Sequence, residues 1–141
     1  MEVLTAVLCD FAADYNGKLC ITGAFDSIWA VRFPCVHPHC SVAMRFLFRD
    51  NDVGKHRLHL AMIDSDGRSV FPENGPSFDM NISSIPENTY FLSHNIVVNL
   101  QGLPLQKSGL YSLDVKMDDT IVARIPLQVV QAPDKNSTQS H

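Results

Sequence analysis

No stretch of this sequence sustains a helical repeat; apolar residues instead recur at every second position from end to end. Long apolar runs are lacking too. The apolar stretches are short and broken by polar residues, well under the roughly 20 residues that cross a bilayer as a helix, so no membrane association is expected. Basic charge is scarce: 11 Lys and Arg stand against 15 Asp and Glu, a net charge of −4 with a pI near 5.8. Nucleic-acid affinity is built from a local excess of Lys and Arg, so that partner is excluded. Four cysteines in 141 residues fall far short of a disulfide scaffold, and the opening MEVLTAVLCDFAADYNGK has no basic leader before its apolar stretch. Reduced thiols and a cytoplasmic location are the expectation. The triplets Asn81-Ile82-Ser83 and Asn136-Ser137-Thr138 then carry no glycosylation reading. There is no G-x-S-x-G elbow, phosphate loop, dinucleotide fingerprint or H-E-x-x-H helix, which removes any specific warrant for catalysis; no cofactor is expected.

The sequence does hold enough apolar material for one core. Hydrophobic residues make up 45% and charged residues 18%, and a chain of this length buries about two-thirds of its unfolded surface. Val42, Met44, Phe46 and Phe48 share one strand face, with Ala43, Arg45 and Arg49 on the other. Leu58, Leu60 and Met62 repeat the pattern, and the turn formers Asp50 to Gly54 predict a hairpin from Ser41 to Asp64. Ile96, Val98 and Leu100 form another strand, ended by a loop punctuated by Gly102, Pro104 and Gly109. Tyr111, Leu113, Val115 and Met117 alternate up to Asp118-Asp119, and Ile121, Ala123, Ile125, Leu127 and Val129 return as a hairpin. Pro126 lacks an amide proton and predicts an edge or a bulge there.

Upstream, Glu2 to Cys9, Lys18 to Phe25 and Ser27 to Phe33 read as strands, the first two joined through Asn16-Gly17. Two prolines place a loop between Pro34 and His39, before a strand beginning near Cys40. Eight or nine strands at this spacing predict an all-β, two-sheet antiparallel sandwich. Its core should combine Met44, Phe46, Leu60, Met62, Val98, Leu100, Leu113 and Val115. Gly109-Leu110-Tyr111-Ser112-Leu113 has the pattern of a tyrosine corner, which makes the sandwich immunoglobulin-like; Trp29 lies too early to be the core Trp of antibody domains. Residues 1–130 are expected to form one domain, and 131–141 a mobile polar tail.

Several groups of residues carry potential chemistry. Cys35, His37, His39 and Cys40 place four metal-capable side chains in six residues, and alternation on an extended strand would aim Cys35, His37 and His39 one way. Such a site would have to recruit a distant ligand, His59 or His94 being available; a metal-binding protein or small metalloenzyme is the alternative function. Small buried cysteines and loop histidines are the plainer account. Asp64-Ser65-Asp66-Gly67, with Asp50 and Asp52, reads as turn aspartates rather than a calcium loop. Arg45, Arg49, Lys55 and Arg57 make the Ser41 to Asp64 region the most basic, read as a solvated outer face. Asp10, Asp26, Trp29, Arg32 and His37 combine an aromatic platform, both charge signs and a titratable ring in one irregular region, which makes them the candidate binding residues.

The stations Cys9-Asp10-Phe11-Ala12, Gly17-Lys18-Leu19, Phe25-Asp26-Ser27-Ile28, Phe33-Pro34 and His37-Pro38 resemble those of an uncharacterised family of small bacterial β-sandwich proteins, a domain of unknown function. Gly54-Lys55-His56, Asp64 to Gly67, Asn99-Leu100 and Gly109-Leu110-Tyr111 extend the resemblance to Val129, while Cys20, His39 and Cys40 depart from it. It implies a bacterial, intracellular domain and assigns no catalytic residue. With apolar faces explained by strands and no nucleophile paired with a base, the expectation is a non-enzymatic protein-binding or scaffolding module. Its partner would be another protein or a copy of itself, met at a sandwich edge.

Overall fold

In the computed structural model, which describes residues 1–134, the alternating pattern becomes nine strands. They are β1 (Glu2–Tyr15), β2 (Lys18–Phe25), β3 (Ser27–Ala30), β4 (Cys35–Phe48), β5 (Gly54–Ile63), β6 (Ser77–Ile82), β7 (Leu92–Leu105), β8 (Gly109–Met117) and β9 (Thr120–Gln131). Helix among the described residues is limited to 3₁₀ turns at Asp50–Asp52 and Pro72–Asn74, and none is long and apolar enough to cross a membrane. The strands form a four-stranded sheet, β2-β1-β4-β7, and a five-stranded sheet, β3-β9-β8-β5-β6. Val42, Met44, Phe46 and Phe48 from one meet Leu58, Leu60, Met62, Leu113, Val115 and Leu127 from the other, all without solvent exposure. The core is the expected one, with Leu100 inside it and Val98 packed at its margin.

The β1–β2 and β8–β9 hairpins follow their turn residues. Asn16, Asp118 and Asp119 take positive φ of 50°, 51° and 67°, the left-handed conformation that tight hairpins require and that Asn and Asp tolerate. The tyrosine corner is present: the Tyr111 hydroxyl donates to the Lys107 carbonyl at 2.6 Å, two residues before the buried Leu113.

Several expectations are corrected. The hairpin from Ser41 to Asp64 does not form: β4 lies between β1 and β7 in one sheet and β5 between β8 and β6 in the other, so Asp50 to Val53 carries the chain across the sandwich. Turn chemistry specifies a reversal and leaves open which sheet receives the next strand. Arg45 and Arg49 are thereby separated from Lys55 and Arg57 by sheet, which dissolves the basic face; Arg49 pairs with Glu2 at 2.7 Å. The loop from Pro34 to His39 is mostly strand, since β4 starts at Cys35; Pro38 is tolerated because this half of β4 pairs with β7 alone. The loop through Gly102 and Pro104 is likewise strand, β7 running to Leu105. Finally, β3 stops at Ala30 and pairs with β9 in parallel, the one exception to antiparallel order among the described residues. Pro126 precedes the point where β3 joins β9 at Gln128, so its missing amide proton costs no bond on that flank. Gln131, expected in the tail, closes β9; residues 135–141 of that tail lie outside the described residues.

One departure from a simple sandwich positions the site. β1 pairs with β4 only as far as Cys9–Ser41, then continues with β2 as an arm. The arm folds back over the outer face of the four-stranded sheet. There Ala12 and Leu19 pack with Cys9, Ala43 and Val97 in a second, smaller cluster. Arg45 donates to the Gly17 carbonyl at 2.9 Å and to Asn95 and Ser93, and Asn95 donates to Asp14 at 2.6 Å. The Arg45 side chain expected in solvent is instead a clamp.

Candidate binding notch

Where β1 peels away from β4, the sandwich is left open at its edge. The gap is a cleft of about 270 Å³ lined by Asp10 of β1, Phe25 of β2, Ser27, Ile28 and Trp29 of β3, and His37 of β4. Three of the five candidate residues, Asp10, Trp29 and His37, thus converge. Asp26 lies between Phe25 and Ser27 but lines a neighbouring depression with Arg124; its carboxylate accepts from the Ser27 hydroxyl at 2.9 Å. Arg32 is exposed and does not line the notch.

Each lining residue has a structural cause. Asp10 falls opposite Gly23, between the pairs Cys9–Ala24 and Phe11–Thr22. A Cβ at Gly23 would lie 2.6 Å from Asp10 Oδ2, and φ there is +68°, so only glycine lets the carboxylate rest across the strand. Asp10 makes no hydrogen bond or ion pair among the described residues. His37 packs its ring on Phe25 with centroids 5.9 Å apart, and its Nε2 is shielded from solvent without a hydrogen-bond partner. Trp29 is 65% exposed on an edge strand. Ser27 is fully engaged, its hydroxyl donating to Asp26 and accepting from Gln128 Nε2 at 2.8 Å. Phe25, Ser27 and Ile28 lie outside the candidate residues named from the sequence; the signal that could have placed the site is Gly23, a glycine inside an apolar strand.

The Cys35 to Cys40 stretch does not present the geometry expected of it. Cys35 and Cys40 lie an odd number of positions apart, yet both pack on the inter-sheet core, so strict face alternation does not hold between them. His37 turns toward Phe25 while His39 is exposed, and the three alternate residues no longer share one face. Burial pushes the Cys40 thiol up to about 11, with Cys9 and Asp10 adding to the effect, which disfavours the thiolate that a metal takes. His59 bonds to the Asn74 carbonyl at 2.7 Å, and His94 packs edge-on against Phe48. Among the described residues no three His, Cys, Asp or Glu side chains are grouped to hold a metal ion. Asp64 is a turn residue: one carboxylate oxygen accepts from the backbone of Asp66 and of Arg68, both at 2.9 Å.

A second constellation was invisible in the sequence. His56 on β5 reaches Asp118 in the β8–β9 turn at 2.6 Å through Nδ1 and the Asp52 carbonyl at 2.5 Å through Nε2. His56 and Asp118 border an open groove of about 480 Å³ with Lys55, Arg57, Asp79, Met80 and Asn81. Arg57 there reaches Asp79 at 4.0 Å, and outside the groove the Met1 ammonium reaches Asp52 at 3.1 Å.

Fold and site together define an all-β sandwich with a small edge notch. The chain belongs to a family of unknown function, DUF6941, whose model matches residues 4–130. No curated protein matches it.

Proposed function

We propose that the chain is a non-enzymatic binding module that engages another protein at the notch. The observation that carries this reading is Trp29, the sole tryptophan, left 65% exposed beside a carboxylate and a shielded imidazole nitrogen that both lack partners. Tryptophan is enriched at the centres of protein interfaces, where its large area is buried on binding. The lining favours binding over catalysis, since its one hydroxyl, on Ser27, already serves Asp26 and Gln128. Strand order supports an immunoglobulin-like reading of the sandwich. β1, β4 and β7 take the places of strands A, B and E, and β5, β8 and β9 those of C, F and G, with Tyr111 at the corner. Four unpaired cysteines, two of them buried, support residence in the reducing interior of a bacterial cell.

Affinity capture from the native bacterium with the wild-type chain and with Trp29→Ala as parallel baits tests the reading. A protein retained by the first and lost from the second is the expected result. Identical retention by both baits, with circular dichroism showing both folded, would overturn it. Light scattering over a concentration series identifies the case in which the partner is a second copy.

A further inference from the structure

We infer that the notch receives a basic side chain, Arg or Lys, from the protein partner, an inference that rests on the binding reading above. The charge of the site selects the sign. Asp10 has no internal cation among the described residues, and the bare Gly23 backbone beneath it gives its carboxylate a seat against the notch wall. Asp26 is bonded to Ser27 and lines the neighbouring depression with Arg124, so the carboxylate that lines the notch is that of Asp10. An anionic group entering here would meet like charge, and an apolar side chain would cover Asp10 and leave His37 Nε2 unsatisfied, each a desolvation cost without return.

A cation meets both demands. Phe25, Trp29 and the His37 ring supply aromatic walls, and the face of an indole attracts a guanidinium or ammonium group. With its ring proton on Nδ1, His37 would offer the Nε2 lone pair to an N–H of the incoming group, and Asp10 accepts another. The cleft, at about 270 Å³, suits one extended side chain and falls below the range of sites for drug-sized ligands. Guanidinium fits better than ammonium because its plane stacks on Trp29 while its edge still donates.

Trp29 is its own reporter. The acetylated, amidated tripeptide Gly-Arg-Gly and its uncharged counterpart with citrulline in place of arginine are titrated against the full chain while tryptophan emission is followed. The arginine peptide is expected to give a saturable change, the citrulline peptide a weaker one, and Asp10→Asn to weaken arginine binding by about fivefold, as suits an exposed ion pair. Equal binding of both peptides, an unchanged affinity in Asp10→Asn, or no saturable response would overturn the inference. The protein captured by the wild-type bait separates the two readings. If Trp29→Ala loses it and a folded Asp10→Asn retains it in full, protein binding stands and the basic side chain falls.

Discussion

His56 is held in a manner that only its protonated ring satisfies. A carbonyl oxygen and a carboxylate both accept, so the Asp52 carbonyl and the Asp118 carboxylate each require an N–H from the imidazole. The bond to Asp118, then that to Asp52, raises the His56 pKa above its ordinary 6.5, while His56 holds Asp118 below the ordinary carboxylate value. A group whose pKa rises on folding contributes stability that is fully present below about pH 6.5 and lost as pH climbs through the folded value. The stability gap between wild type and His56→Gln should therefore be wider at about pH 5.5 than at about pH 8.5 in thermal melts. Asp118 is half exposed, which limits the effect to about 1 kcal/mol; a gap independent of pH would show that the ring is not charged. Tyr111→Phe removes the corner bond to Lys107 and should lower the melting temperature by roughly 4 °C, the equivalent of about 1 kcal/mol. The corner was legible in the sequence because both its residues lie in one short segment. Asp10 and Trp29 were legible as chemistry out of place at the end of one apolar strand and within another, and His37 as a titratable ring in a predicted loop, whereas Arg32 was grouped by proximity in sequence alone. His56 was missed because its partners arrive from the crossing turn and from a hairpin sixty-two positions away.

At the scale of elements, the β1–β2 arm depends on contacts that no local pattern announces. Arg45 bonds the arm tip through Gly17 and the sheet beneath through Asn95 and Ser93, and Asn95 adds its own bond to Asp14 of the arm. Arg45→Ala should leave the sandwich folded and speed amide hydrogen exchange from Ala12 to Ile21, with β8 and β9 unaffected. Uniform acceleration across the chain would indicate that the arm is part of the main cooperative unit. Alternation predicts the core face of a strand correctly, as at Tyr111, Leu113, Val115 and Met117 of β8, but Asp114, expected outward on that strand, is buried as well. Strand ends at Pro38, Gly102 and Pro104 were misread as loops because a proline is excluded only where both flanks are paired, and pairing on one flank is a property of the assembled sheet. The same blindness produced the false hairpin: Asp50 to Gly54 has turn residues, but β1 and β7 already occupy both flanks of β4.

For the molecule as a whole, the two sheets share one core, and neither has another apolar layer on its inner face. Phe46 belongs to the four-stranded sheet and Leu113 to the five-stranded one, and both are fully buried in the same cluster. Truncating either removes packing from both sheets at once. Phe46→Ala should cost about 3–5 kcal/mol and Leu113→Ala about 2–5 kcal/mol, each a large share of the roughly 5–15 kcal/mol typical of a domain. Because the core is common, both variants should shift a single urea transition, with unchanged slope, and far-ultraviolet circular dichroism should coincide with tyrosine fluorescence. Trp29 is a poor probe of this event, being mostly exposed before and after. The cost also depends on relaxation. β4 is paired on both flanks through Phe46, by β1 and by β7, so the void left there has little freedom to collapse. A separate early transition confined to one variant would mean that the sheets unfold independently, and that the edge notch between them opens without loss of the rest.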